Sequence, residues 1–229
     1  MDTIRILLAD DSQYIRTAYQ RILETQSNFH VVGVASDGEE AVQKALELSP
    51  DVAVLDIRMP RVNGLEAAHR MIRELPSIRI VMVSGYDDLG YVRELLKDGP
   101  QGKAYLLKTS IEDVGELIRA VEAVFKGGTV LDPNLVQKMV RVHLEHSNSE
   151  LHQLTDNERE MLELMAGGYE DQDISLIANL PLEQVALLTQ QVLEKLGESD
   201  ATGMDQRSQA VVRFINESSS VSYIVDEGT

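Results

Sequence analysis

The residue types with the most chemical capacity in the first half of the sequence are Asp10, Asp11, Asp56, Ser84 and Lys108. Three carboxylates repel one another unless a cation lies among them, and carboxylates with a backbone carbonyl and waters suit a hard ion such as Mg²⁺. Such an ion would neutralise an incoming phosphoryl group and leave one carboxylate as the nucleophile. Lys108 could bind a phosphoryl oxygen as a point charge, and the Ser84 hydroxyl could donate to another. These residue types therefore point to phosphoryl transfer onto a carboxylate, with Asp56 as the candidate reactive residue.

Each of these residues lies directly after, or at the end of, a predicted strand. The run Val52 to Leu55 is apolar without alternation, which is typical of a parallel strand covered on both faces, and it ends at Asp56. Strands are predicted at 4–9, 29–35, 52–56, 79–83 and 104–107, and each is followed by an amphipathic helical pattern. Five alternations over about 126 residues predict right-handed crossovers and a five-stranded, doubly wound parallel sheet. The ends of its strands would bring the candidate residues to one edge.

A structural alternative stays open when only residue types and spacing are considered. The acidic residues could cap helices while Lys108 forms an ion pair with them, because coupled charges also occur as plain ion-pair networks. Tyr105, three residues before Lys108, could likewise be a half-buried aromatic residue of a strand.

Residues 1 to about 126 resemble the receiver domain of bacterial two-component response regulators, which has a flavodoxin-like fold. The resemblance rests on the Asp10-Asp11 pair, the segment from Leu55 to Pro60 with Gly64, the Ser84-Gly85 pair, and Tyr105 before Lys108. It implies that Asp56 is the phosphoacceptor and that a sensor histidine kinase is a partner. By the same resemblance, Mg²⁺ would be held by Asp10, Asp11, Asp56 and the backbone carbonyl of Arg58. Ser84 and Lys108 would contact the phosphoryl group, and Tyr105 would be the rotating switch residue.

The second half of the sequence predicts a linker with one helix at 127–153, a four-helix domain at 154–217 and a tail at 218–229. Thr155 with Glu158 three residues later forms a capping-box pattern, and the short helices that follow are joined by tight turns, as in a helix-turn-helix. This half resembles the LuxR-type output domain of the NarL/FixJ class of response regulators, which implies DNA binding and transcription regulation. The motifs that carry the resemblance are Leu154-Thr155, Glu158-Arg159-Glu160, Ala166-Gly167-Gly168, Ile174-Ser175, Val185, Glu194-Lys195-Leu196-Gly197 and Gln209-Ala210-Val211.

The predicted recognition helix departs from this family. A Lys usually follows the position of Val185, and a His lies two residues further, but this chain has Ala186 and Leu188. Residues 129–229 contain 6 Lys and Arg against 18 Asp and Glu, a balance that repels phosphates. Two hypotheses follow: the domain binds DNA, or it has lost DNA binding and serves as a phosphorylation-controlled protein-interaction module. The candidate face for either partner consists of Gln184, Leu187, Leu188, Thr189, Gln190 and Gln191.

Composition limits the remaining function classes. The sequence has no cysteine, which excludes a disulfide framework, a thiol nucleophile and a cysteine-based zinc site. A solvated linker face is favoured over a metal site for His143, His146 and His152. The lack of a leader pattern or a long apolar run predicts a cytoplasmic protein without a membrane partner. No turnover of an outside substrate is indicated, so the only predicted catalysis is the receiver's own phosphorylation and dephosphorylation. The sequence leaves open whether the chain forms a homodimer.

Overall fold

The computed structural model of the protein describes residues 3–111, 114–144, 154–196 and residue 210. The chain divides into two compact units, Met1–Asp87 with Gly102–Val130 and Asp88–Gln101 with Leu131–Thr229. The predicted fourth helix of the C-terminal domain at 207–216 lies outside the described residues, apart from Ala210, which is helical and buried. The polar linker with His146 and His152 and the tail also lie outside them. The domain boundaries predicted from the sequence therefore stay predictions.

A parallel sheet positions the candidate residues. Its strands are β1 (Ile4–Ala9), β2 (Phe29–Ala35), β3 (Val52–Asp56), β4 (Arg79–Ser84), β5 (Lys103–Leu107) and β6 (Thr129–Leu131). The order across the sheet is β2-β1-β3-β4-β5-β6, and the four pairings among the first five strands are parallel. The order of these five strands is the flavodoxin-like arrangement, in which ligands bind where the winding reverses, between β1 and β3. The predicted fold of the first half is confirmed.

The prediction of five strands was wrong by one, because β6 extends the sheet beside β5. The Gly102 N–H at the start of β5 donates to the carbonyls of Gly127 and Gly128, at 3.2 and 3.0 Å, just before β6 begins. With three residues between a Gly pair and Asp132-Pro133, the strand is too short to give a measurable hydrophobic period.

The apolar runs of the strands are buried, as the lack of alternation in their sequence predicts. Every residue of β3 is buried, as are all residues of β5 and all but the first of β4. Side chains of the central strands, among them Leu8, Val54, Val83 and Leu106, form the main core cluster with apolar residues of the helices. A strand with helices on both of its faces has no solvent-exposed side, so its sequence need not alternate.

The helices that follow the first five strands are α1 (Gln13–Leu23), α2 (Gly38–Leu48), α3 (Gly64–Glu74), α4 (Leu89–Leu96) and α5 (Val114–Phe125). The first four begin where a side chain accepts a hydrogen bond from a backbone N–H of the first turn, since four such donors lack intrahelical partners. The capping residues are Ser12, Asp37, Asn63 and Asp88. The sequence pattern predicts helices at 13–26, 65–75, 87–97 and 111–125, and the ends of α1, α3, α4 and α5 lie within three residues of these bounds.

The C-terminal helices are α6 (Pro133–Leu144), α7 (Asp156–Ala166), α8 (Asp171–Ile177) and α9 (Leu182–Lys195). The predicted capping box is confirmed, because Thr155 accepts from the Glu158 N–H while the Glu158 carboxylate accepts from the Thr155 N–H at 2.7 Å. The sequence pattern predicts a helix at 173–180, but α8 begins two residues earlier. It ends at Ile177, shortly before Asn179 adopts a left-handed backbone with φ of 52°.

No helix among the described residues is both long enough and apolar enough to cross a membrane.

Gly64 is required by the close approach of its backbone to the strand that carries Asp56. A Cβ at position 64 would lie 2.0 Å from the Asp56 carbonyl oxygen and 3.1 Å from the Ile57 Cα, so backbone atoms would have to move. We expect Gly64→Ala to lower the free energy of unfolding by about 1–3 kcal/mol, the usual cost of overpacking. Urea unfolding followed by circular dichroism measures it.

Gly85→Ala is the matched control, because a Cβ at position 85 meets no atom within 4 Å. Equal losses of stability in the two variants would contradict the account of Gly64.

Candidate functional site

The carboxyl ends of four strands bring Asp10, Asp56, Ser84 and Lys108 to one edge of the sheet. Asp10 follows β1, Asp56 and Ser84 are the last residues of β3 and β4, and Lys108 follows β5. The Lys108 Nζ lies 2.8 Å from Asp10 Oδ2 and 3.1 Å from Asp56 Oδ2. Both carboxylates are almost fully buried, whereas the Lys108 side chain is 27% exposed. One ammonium group thus pairs with two carboxylates that water reaches poorly, and it offsets only part of their negative charge.

The loop after β1 is fixed by hydrogen bonds to its own backbone. The second oxygen of Asp10, Oδ1, accepts from the Ser12 N–H at 2.8 Å, and the Arg16 guanidinium donates to the carbonyls of Asp10 and Asp11 at 2.7 and 3.1 Å. Asp10 therefore has an assigned partner on each oxygen, while Asp11 extends into solvent.

The three carboxylates are arranged as a hard cation would require. One oxygen atom from each of Asp10, Asp11 and Asp56 lies within 4.8 Å of the others, and this is the only such acidic group in the described part of the chain. Oxygen ligands with one exposed member leave room for the waters that Mg²⁺ retains. The Arg58 backbone amide is close enough to act on the Asp56 carboxylate, so this residue also lies beside the site. The donor set fits Mg²⁺.

Burial and charge act in opposite directions on the two central groups. Burial raises the pKa of Asp56 above its ordinary value, and the nearby Lys108 ammonium offsets only part of that effect. Burial alone would lower the pKa of Lys108, but its hydrogen bond to Asp10 and the charge of Asp56 outweigh burial and raise the pKa. The lysine is therefore held in its charged form beside a carboxylate whose ionised form is destabilised.

Ser84 and Tyr105 bind the same backbone atom. The Ser84 hydroxyl donates to the Tyr86 carbonyl at 3.1 Å and accepts from the Tyr86 N–H at 2.9 Å. The Tyr105 hydroxyl donates to that same carbonyl at 2.9 Å, and the Tyr105 side chain is fully buried. Tyr105 is thus more deeply buried than the structural alternative predicted, and its role as a switch residue stays a prediction. The Ser84 hydroxyl is here directed to the loop after β4.

The side chain of Arg58 links the loop after β3 to the loop after β4. Its guanidinium carbon lies 3.8 Å from the centre of the Tyr86 ring, a cation–π distance. From the sequence, only the backbone carbonyl of Arg58 was predicted at the site, and Tyr86 was not identified. An aromatic residue two positions after Ser84 was the available signal, but its partner is distant in sequence.

The loop from Ile57 to Gly64 is held by a second ion pair that sequence reasoning missed. The Arg61 guanidinium contacts the buried carboxylate of Asp37, and Arg61 has a left-handed backbone with φ of 66°. The Asp37 side chain also accepts from the Glu40 N–H, so one carboxylate both caps α2 and holds this loop.

The predicted face of α9 is mostly at the surface. Gln184, Leu187, Gln190 and Gln191 are exposed and Leu188 is partly exposed. The placement of Thr189 on this face was wrong, because its side chain is 8% exposed and its hydroxyl donates to the Met161 sulfur at 3.7 Å. Its position in the helix places it on the buried side of α9, which also carries Val185 and Val192.

Two basic side chains of the C-terminal helices, Lys195 and Arg159, form ion pairs within those helices. Lys195 Nζ lies 2.7 Å from a carboxylate oxygen of Glu158, whose side chain is 5% exposed, and Arg159 pairs with Asp156 at 3.1 Å. Between these cations, residues 160–194 contain no Lys, Arg or His and seven Asp or Glu. The surface of α8, and of α9 as far as Glu194, therefore offers no positive charge.

Comparisons with known proteins give the same family for both halves. A family model described as the response regulator receiver domain matches residues 6–122. The transcriptional regulatory protein DegU of Brevibacillus brevis is 34% identical over 93% of this chain and 93% of DegU, and the response regulator VraR of Staphylococcus aureus is 32% identical over 87% and 93%.

Solved structures extend the likeness to the fold. A LuxR-family two-component response regulator from Aurantimonas sp. SI85-9A1 aligns over 62% of this chain and 99% of that one, at 27% identity and a TM-score of 0.57. The RcsB response regulator of Salmonella typhimurium, 19% identical, has a similar fold over 96% of this chain and all of that one, with a TM-score of 0.55.

A sheet of this order with an acidic centre at its carboxyl edge defines a receiver domain. The chain belongs to the two-component response regulators of the NarL/FixJ class. The resemblance found in the sequence is confirmed.

The raised pKa of Asp56 predicts a change in stability with pH. The pKa of the folded state lies above that of the unfolded state, so the ionised carboxylate destabilises the fold at pH values above the folded-state pKa. We expect Asp56→Asn to melt at a higher temperature than the parent chain at neutral pH. The gain should disappear as the pH falls through the raised pKa of Asp56. Thermal melts over a pH series measure it, with the exposed Asp98→Asn as control; a less stable Asp56→Asn at neutral pH would contradict the prediction.

Lys108 is expected to stabilise the fold by neutralising Asp10 and Asp56. Lys108→Met leaves both carboxylates buried without their cation, which should cost roughly 2–4 kcal/mol in the free energy of unfolding. Added Mg²⁺ should restore part of this loss and raise the melting temperature of the variant more than that of the parent chain.

Lys97→Met is the matched control, because Lys97 forms a solvent-exposed pair with Glu94 and its removal should leave the free energy of unfolding nearly unchanged. A Lys108→Met variant as stable as the parent would show that the pair does not hold this site.

Proposed function

We propose that this chain is a phosphorylation-controlled regulator of transcription, in which Asp56 is the phosphoacceptor and a sensor histidine kinase is the phosphoryl donor. The single observation that carries the proposal is the meeting of Asp10, Asp56 and Lys108 in one buried, ion-paired centre at the ligand edge of the sheet. The cytoplasmic location expected from the sequence is part of the proposal.

The proposed reaction is a direct transfer to the carboxylate. An oxygen of Asp56 attacks the phosphorus of a phosphohistidine, the new O–P bond forms as the P–N bond breaks, and the imidazole nitrogen keeps the electron pair of that bond. Asp10, Asp11, Asp56 and the Arg58 carbonyl would hold Mg²⁺. The bound ion would supply positive charge to offset that of the phosphoryl group. Lys108, already within reach of Asp56, would bind a phosphoryl oxygen.

The proposed switch uses the contacts around Tyr86. A phosphoryl group on Asp56 offers new acceptor oxygens, and the Ser84 hydroxyl would exchange its bond to the Tyr86 carbonyl for one to a phosphoryl oxygen. The loop after β4 and the Tyr105 hydroxyl then lose their present arrangement. Such a local exchange shifts the population of receiver states, which is how we propose that phosphorylation reaches the output half.

The output half is proposed to act on transcription, with DNA contact through α9. Support comes from the family, since DegU carries the name transcriptional regulatory protein and the RcsB structure is described in terms of DNA interaction. Gln184 and Gln190 are exposed amide side chains that could bond to bases or phosphates. The second candidate, a protein-interaction module, is favoured by one observation, the absence of any cation between positions 160 and 194.

Small phosphodonors test the phosphoacceptor without the kinase. We expect the intact chain, incubated with acetyl phosphate and Mg²⁺, to gain one acid-stable, base-labile phosphoryl group, detected by intact-protein mass spectrometry. Removal of Mg²⁺ with a chelator should reduce the modification to background, because the clustered carboxylates would then repel the donor. Asp56→Asn should not be modified, whereas Asp98→Asn should behave like the parent. Modification of Asp56→Asn to the parent level would refute Asp56 as the acceptor.

A further inference from the structure

Four large apolar side chains are exposed within twelve consecutive residues of α8 and α9. They are Leu176, Ile177, Leu182 and Leu187, with exposed fractions of 81, 54, 49 and 55%. We refer to them as the α8–α9 apolar surface. Only three other large apolar side chains in the described part of the chain are exposed, Tyr14, Leu46 and Tyr86, and they are scattered. Isolated exposed apolar residues are ordinary, but a concentration of this kind marks an interaction surface.

The charge around this surface has one sign. Glu170, Asp173 and Glu183 are exposed on the same two helices and their connecting segments, and no basic residue occurs between Arg159 and Lys195. Those two flanking cations already pair with Asp156 and Glu158. The surface is therefore apolar with an acidic rim, and the partner that complements it is apolar with a basic rim.

We propose that the α8–α9 apolar surface binds a basic amphipathic helix of a partner protein. The surface is built from two packed helices and offers no strand edge, so an extended peptide could not add to it through backbone pairing. A helix can instead place its apolar side chains against the leucines and its Lys or Arg side chains against the acidic rim.

Negative charge disfavours the other possible occupants of the α8–α9 apolar surface, which are DNA, a second copy of the chain and the C-terminal tail. DNA alone would place phosphates against the acidic rim without counterion release. A second copy of this surface carries the same acidic charge. The tail at 218–229 contains Asp226 and Glu227 and no cation. The proposal rests on the second candidate function of the output half, the protein-interaction module, because it names the kind of partner that such a module would bind.

Binding of a designed peptide to the full chain tests the proposal. The probe is a helical peptide with leucines on one face and lysines on the other, and binding is measured by fluorescence anisotropy with and without acetyl phosphate and Mg²⁺. We expect saturable binding in at least one of the two states. Leu176→Gln combined with Leu187→Gln should weaken it by about tenfold or more, because central apolar contacts carry most of the affinity of such a surface. Both residues are exposed, so the variant keeps its fold, which circular dichroism checks.

Matched controls separate this surface from general attraction between opposite charges. Leu46→Gln, the same change at an exposed leucine of α2, should leave affinity within about twofold of the parent. A peptide of the same composition in scrambled order, without an apolar face, should bind at least about tenfold more weakly.

Three results would overturn the proposal: equal affinities of the Leu176/Leu187 and Leu46 variants, equal affinities of the ordered and scrambled peptides, or no peptide binding in either state. Tight, steeply salt-dependent binding of duplex DNA by the chain alone would also overturn it while leaving a transcription regulator intact. Failure of Asp56 to accept a phosphoryl group is a separate result, since peptide binding is measured in both states.

Discussion

The contact between Lys108 and two buried carboxylates is the interaction on which the receiver half depends. Two like charges cannot be buried side by side without a cation, and the ends of β1, β3 and β5 deliver all three groups to one point. The arrangement satisfies the charges only partly, because the pKa of Asp56 stays raised. A site that is held together yet not fully neutralised is suited to receive further positive charge, and then a phosphoryl group.

Much of this half follows from the sequence because the sheet is parallel. Uninterrupted apolar runs identify buried strands, and a parallel sheet places all strand ends of one kind at one edge, so Asp10, Asp56, Ser84 and Lys108 could be grouped without coordinates. What could not be predicted depends on contacts between loops. The stacking of Arg58 on Tyr86 is one example, since the two residues are 28 positions apart and neither pattern nor spacing relates them. The three-residue strand β6 gave too little pattern to be detected.

The output half shows what helical periodicity can and cannot predict about the direction of side chains. It places Gln184, Leu187 and Gln191 outward, as the structure has them, but Thr189 is turned inward against Met161. A threonine is equally ordinary on either side of a helix, so residue type alone could not decide its direction. Charge is the stronger signal here, because it can be counted without knowing any side-chain direction. The absence of cations from 160 to 194 sets this chain apart from what its fold leads one to expect.

The shared acceptor at Tyr86 has a consequence for how such a chain can evolve. Ser84 and Tyr105 both donate to a main-chain oxygen, which every amino acid supplies, so no substitution at position 86 can delete the acceptor itself. The side chain at position 86 can change together with Arg58, which packs on it, while the two hydroxyls keep their shared acceptor. Substitutions can thus change the side chains that cover the site while Ser84 and Tyr105 keep their hydrogen bonds to the same carbonyl oxygen.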